Sequence, residues 1–221
     1  LGVDLTTASV TINKAFSSST ASGPVRIVAS NDITVNGVVT SGTAAVNLSA
    51  DDDILFGASG AITTTNAGVT IRADADGSMN GFGGAVLMTD GAFVNAGSGE
   101  IDFSADENIQ LGRLVTTTLV RLTSTSGGIV DGGDSGGADI VADRLALRSV
   151  AGVGTANPID TTVNTIAAEN KRAGGVRVEN TNGGTLTVGV VDGLSGIKNG
   201  PIGAPEKLVG EVELIHVGAI D

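Results

Sequence analysis

The chain has 221 residues, is 41% hydrophobic and carries 24 acidic against 12 basic side chains, for a formal charge of -12 and a pI near 4.3. A surface of that sign repels phosphate backbones, which argues against nucleic acid as a partner, and no stretch reaches the about 20 apolar residues that would cross a bilayer as a helix. Thirty-four Gly, four Pro, no Cys and five aromatic residues, all Phe, exclude a helical protein, disulfides and thiolate metal sites, and leave a narrow interior built of Val, Ile, Leu and Ala.

The first residues, Leu1-Gly-Val-Asp-Leu-Thr6, lack the basic-then-apolar order of a signal peptide, so the chain reads as a mature or excised segment. From there a short unit, apolar-x-apolar, recurs. It stands at Val10-Thr-Ile12, Val25-Arg-Ile27, Val46-Asn-Leu48, Val69-Thr-Ile71, Val86-Leu-Met88, Ile101-Asp-Phe103, Val120-Arg-Leu122, Leu145-Ala-Leu147 and Val176-Arg-Val178. Successive starts lie 15, 21, 23, 17, 15, 19, 25 and 31 residues apart, a loose period of about 20 whose variation falls in Gly, Ser, Thr and Asp stretches. The middle residue of each unit is often polar, so one side of the strand faces solvent and the other a core.

Three units share their flanks as well. An apolar run reaches Ala29, Ala50 or Ala105, three polar residues follow, and Ile33, Ile54 or Ile109 restarts the alternation. Strand, polar corner and strand, repeated, describe a coil stacked on copies of itself. An antiparallel sandwich competes, and Asn36-Gly37, Asp76-Gly77, Asp90-Gly91 and Asn182-Gly183 fit its hairpin turns. The same dipeptides also turn corners between the faces of one rung, and a sandwich has no need of a recurring motif. The expected fold is all-β: a single-stranded parallel β-helix, or β-solenoid, of roughly nine to eleven rungs, on the order of 45 to 55 Å long at ~4.8 Å per strand. It occupies residues 1–200. Residues 201–221 hold Pro201, Pro205 and a terminal strand from Lys207, which either caps the stack or pairs with another subunit or domain.

Several clusters invite chemistry. Asp51, Asp52 and Asp53, echoed by Asp106 and Glu107, would offer calcium a set of oxygens, although no complete calcium motif surrounds them and a solvated corner accounts for them. Asp74-Ala-Asp-Gly77 begins like an EF-hand loop, but the closing Glu is absent, since Ala85 stands there; a turn is expected. Gly132-Gly-Asp-Ser-Gly-Gly-Ala-Asp139 combines part of a nonapeptide calcium repeat with a Gly-Asp-Ser-Gly string, and is expected to be a flexible corner. Ser135 as a nucleophile would need an oriented base, and the one histidine is His216 in the terminal strand. Thr63-Thr-Thr65 and Thr116-Thr-Thr118 are expected at exposed strand positions rather than in an ice-binding array. Phe16, Phe56, Phe82, Phe93 and Phe103 are expected to fill the core or corners. No catalytic, cofactor-binding or metal residue is assigned.

The runs Asp139-Ile-Val-Ala-Asp-Arg-Leu-Ala-Leu147, Gly152 to Asp160 with Gly154, Asn157, Pro158 and Ile159, Val163 to Ala168, and Gly184 to Ile197 resemble repeat regions of large secreted bacterial proteins of the filamentous-haemagglutinin type. The resemblance implies a right-handed parallel β-helix, export to the cell surface, and a role in adhesion or in an extracellular fibre. A non-enzymatic rod is therefore expected, outside the cell or on a bacterial surface, with neighbouring repeat domains or identical subunits joined end to end and a cell-surface or glycan receptor as a possible further partner. The alternative is a β-helix that binds or cleaves polysaccharide, expected on fold analogy alone. Carboxylates converging across three rungs would favour that alternative; dispersed ones favour the rod.

Overall fold

The computed structural model describes residues 3–18, 23–77, 83–200 and 210–221. Phe82, Pro201, Pro205 and residues 207–209 fall outside the described residues. Among those described, all regular structure is β-strand and every strand pairing is parallel except one short hairpin. That settles the choice between coil and sandwich: the chain is a β-solenoid of about eight turns.

Three sheets form its faces. The first carries Val3–Thr7, Val25–Ala29, Val46–Ala50, Val69–Arg72, Ile101–Ala105, Leu119–Ser124, Arg144–Ser149 and Thr165–Asn170, followed by Thr185–Val188 and Ala219–Ile220. The second stacks Val10–Ile12, Ile33–Val35, Ile54–Phe56, Val86–Met88, Ile109–Leu111 and Ile129–Asp131. The third runs from Phe16–Ser17 and Val38–Ser41 through Ala61–Thr64, Phe93–Asn95, Arg113–Val115, Ile140–Val141, Ile159–Thr162 and Val176–Asn180 to Val212–His216. The terminal strand thus pairs within its own chain and lengthens the stack.

The turn count is slightly below the nine to eleven expected, because the marker units do not all occupy one face. Val25, Val46, Val69, Ile101, Val120 and Leu145 are in register on the first face, and Ile166, which the marker series omits, continues them. The units at Val10 and Val86 belong to the second face and the one at Val176 to the third. The true rungs on the first face are 21, 23, 32, 19, 25 and 21 residues long, so the short intervals in the series were changes of face.

Alternation sets what points inward. Ile27, Leu48, Ile71, Phe103, Leu122 and Leu147 stack as one buried column of the first face, and Ile33, Ile54, Val86, Ile109 and Ile129 as a column of the second. Phe56 and Phe103 are core residues as expected, whereas Phe93 is half-exposed on the outside of the third face. The polar corners have a specific task. The Asp32 carboxylate accepts the N–H of Asp53 at 3.1 Å, Asp53 accepts the N–H of Ala85 at 2.9 Å, and Asn108 accepts the N–H of Gly128 at 2.8 Å. Each corner oxygen staples the next rung by satisfying a backbone donor that the bend takes out of the ladder.

The one antiparallel pair, Val190–Val191 with Leu194–Ser195, turns at Asp192-Gly193, where φ is 50° and 77°. Left-handed residues at both central positions suit a tight hairpin, and Asp and Gly are among the residues that tolerate them. The hairpin lies across the outside of the first face. Val191 and Leu194 bury Leu119, Ala146 and Ala167 in a second small apolar cluster. At its tip, Asp192 pairs with Arg121 at 2.9 Å and Arg148 at 2.7 Å. Those two arginines hold its carboxyl below the ordinary range. A lowered folded-state pKa contributes stability that is present above the unfolded value and is lost as pH falls through the folded one. Asp192→Asn should therefore lower stability by about 1 kcal/mol at pH 7, as for a partly exposed ion network. In urea melts the deficit should close as pH is taken below about 4.

Candidate functional site

Register places one row of outward side chains along the third face, Val38, Ala61, Phe93 and Arg113, with Asp160 and Glu179 paired on later rungs; between them Asp139, which is buried, lies just ahead of the strand Ile140–Val141. Neighbours in such a row sit about 4.8 Å apart at the backbone. The row therefore passes from apolar to cationic to acidic within a few rungs.

The segment 132–139 folds over this row, and it is pinned rather than flexible. Gly133 N–H donates to Asp131 at 2.6 Å, while the Ser135 N–H and hydroxyl donate to the two oxygens of Asp90 at 3.0 and 2.7 Å. From the following rung, the Asn157 amide donates to Asp131 and to Asp134. Glycine is needed here: Gly133, Gly136 and Gly137 have φ of 137°, 90° and 87°, a region that side chains disfavour. A Cβ on Gly132 would also lie 2.3 Å from the Leu111 carbonyl.

At the end of the segment, Asp139 is only 2% exposed. Its carboxylate accepts the N–H of Asp160 at 2.9 Å, the same staple that Asp32 and Asp53 make at the other corner. Burial nevertheless pushes its pKa up to about 8, with Asp131, Asp160 and Asp134 adding repulsion against the pull of that hydrogen bond. Asp160 is raised too, by burial and then by Glu179, Asp134 and Asp131. Arg113 lies over its neighbour on the preceding rung, its guanidinium carbon 5.7 Å from the centre of the Phe93 ring.

The other sequence candidates are drawn into structure. Ser135 is engaged by Asp90, and the His216 ring bonds to Asn180 and the Gly184 carbonyl, so the two form no nucleophile and base pair. Asp74 at φ 54° and Gly77 at φ 65° close a turn through the Gly77 N–H to Asp74 carbonyl bond of 3.1 Å. Asp106 accepts the hydroxyls of Thr125 and Ser126 at 2.7 and 3.2 Å. Asp53 staples Ala85, and the carboxyl of Asp52 is raised by desolvation and by Asp32, Asp53, Asp76 and Asp51 around it. Among the described residues no group of three or more acidic or histidine side chains is arranged to hold a metal ion. The threonine expectation needs correcting: Thr64 and Thr116 are buried, donating at corners to the carbonyls of Ala67 at 2.6 Å and Gly99 at 2.5 Å.

Sequence reasoning passed over Phe93 and Arg113 as a pair. The signal was their 20-residue separation, one rung, together with odd parity in the alternation of both strands. No family model, curated protein or solved structure matches the chain, so the site is defined by its own geometry.

The buried Asp139 carries a testable consequence for stability. A carboxyl whose folded pKa lies above its unfolded value of about 3.9 destabilises progressively as pH rises from that value to the folded one, because only the unfolded chain ionises freely. Asp139→Asn keeps the acceptor for the Asp160 N–H and removes the ionisation. It should raise stability at pH 7 by about 1–2 kcal/mol, with the gain growing between pH 4 and pH 8 and vanishing at pH 3 in denaturant melts.

Proposed function

We propose that this chain is a non-enzymatic structural module, a rigid β-helical rod within a secreted bacterial surface protein or extracellular filament. The observation that carries the reading is the ladder of the first face, which is parallel from Val3–Thr7 through to Ala219–Ile220. Hydrogen bonds in such a sheet run along the stacking axis, so tension on the rod is shared by many bonds in each of three faces. The resemblance of residues 139–197 to filamentous-haemagglutinin repeats supports the same conclusion. The excess of carboxylates opposes sideways association.

End-to-end joining to neighbouring repeats or identical subunits is part of this proposal. Among the described residues, Leu5 is exposed at one end of the stack and Val212, Ile215 and Ile220 at the other. Outermost strands with apolar side chains and unpaired edges favour continuation by another strand.

One observation favours a second reading, polysaccharide binding or cleavage. Asp160 and Glu179 stand in register on neighbouring rungs, and a strand spacing of about 4.8 Å is near the 5 to 5.5 Å of a retaining carboxylate pair. Both are half-exposed, whereas Asp139 on the preceding rung is buried. Against it stands the composition, since there is no Trp or Tyr on which a sugar chain would stack.

Electron microscopy of the purified chain tests the first reading. Rods with lengths in multiples of about 40 Å are expected, from about eight turns at ~4.8 Å; particles that stay single at high concentration would refute joining through the ends. A reducing-end assay on acidic polysaccharides tests the second. Activity that falls at least tenfold in both Asp160→Asn and Glu179→Gln would replace the structural reading with the enzymatic one.

A further inference from the structure

We propose that the recess beside Arg113 on the third face is a binding subsite for one carboxylate-bearing sugar unit of the uronic-acid class. The recess has a volume of about 270 Å³ and is lined by Gly91, Ala92, Phe93, Arg113, Ser135 and Gly136. It lies outside the Asp160 and Glu179 pair, and the proposal does not rest on the rod being the correct function.

Arg113 supplies the first argument. Arg121, Arg144, Arg148 and Arg177 each pair with a carboxylate. Among the described residues Arg113 makes no such pair, and unlike the exposed Arg72 and Arg172, which also make none, it is half-buried. On the next rung the Asp139 carboxyl is buried and bonded to the Asp160 N–H. Arg113 is held on the Phe93 ring, and its Nε is buried without a hydrogen-bond partner. A cation–π contact orients a guanidinium without using its N–H donors, and a buried donor left unmatched is uncommon in folded proteins. The planar fork of an arginine matches the two oxygens of a carboxylate.

The second argument is the wall of the recess. Gly91 at φ 91° and Gly136 at φ 90° line it without side chains, which lets a ligand approach the backbone closely. The Ser135 hydroxyl spends its proton on Asp90, so its lone pairs face a ligand as acceptors for a sugar hydroxyl. Asp90 and Asp134 are turned to hydrogen bonds from Ser135 and Asn157, and Arg113 is the charged side chain that lines the recess itself. The volume lies just below that of pockets for drug-sized molecules and suits a single ring.

Titration of the ¹⁵N-labelled full chain with glucuronate, glucose and acetate, followed through amide shifts, decides the matter. Glucuronate should shift Gly91, Ala92, Ser135 and Gly136 saturably, with a dissociation constant on the order of millimolar, and glucose should bind at least tenfold more weakly. Arg113→Gln should abolish the shifts, Arg113→Lys should weaken binding several-fold by keeping the charge without the fork, and Phe93→Leu should weaken it similarly. Unchanged amide shifts elsewhere in these variants verify the fold, which an outward-facing side chain should not disturb. Equal shifts with glucose, shifts that persist in Arg113→Gln, or no saturable shift with glucuronate would overturn the proposal. Acetate binding as tightly as glucuronate would reduce the site to a bare anion contact and overturn the sugar assignment.

Discussion

Register between successive turns is the constraint on which this molecule depends. Each strand satisfies its N–H and C=O groups with the strand one turn away, and a one-residue slip would turn every inward Val, Ile or Leu to solvent. Val25, Val46, Val69, Ile101, Val120, Leu145 and Ile166 keep one line although the rungs between them differ in length by as much as 13 residues. The ladder tolerates this because extra residues are placed at corners, where they lengthen loops at a small entropic cost and leave the strands in line.

Corners then have to solve a problem that strands do not have. A bend takes backbone donors out of the ladder, and the chain answers with short polar side chains that reach the next turn. Asp32, Asp53, Asn108 and Asp139 all accept an N–H from the rung that follows. Where a corner is wider the device grows. Buried Asn170 accepts from the Ser149 hydroxyl and the Gly152 N–H while donating to the Ala173 carbonyl and Asn199. Asp32, Asp53 and Asp139, which composition alone would read as surface charge or a cation site, are therefore architectural.

The same register creates the candidate site. Outward positions carry no packing duty, so the third face can hold Phe93 beside Arg113 and Asp160 beside Glu179 without cost to the core. What makes that face distinctive is the segment 132–139, fixed by Asp90 from one rung and Asn157 from another.

Local alternation and the recurring passage from Ala through three polar residues to Ile were enough to specify strands, an all-β coil and a narrow aliphatic interior, because inside and outside are decided by neighbours two residues apart. They did not say which face a strand joins. Val10, Val86 and Val176 look like Val25 but lie on other faces, since face depends on how far each corner carries the chain before it turns. The hairpin at Asp192 and the pairing of Arg113 with Phe93 were likewise set only by the stacked coil. Both depend on side chains brought together across whole turns, and the distance between those turns is a property of the packed molecule rather than of any stretch of sequence.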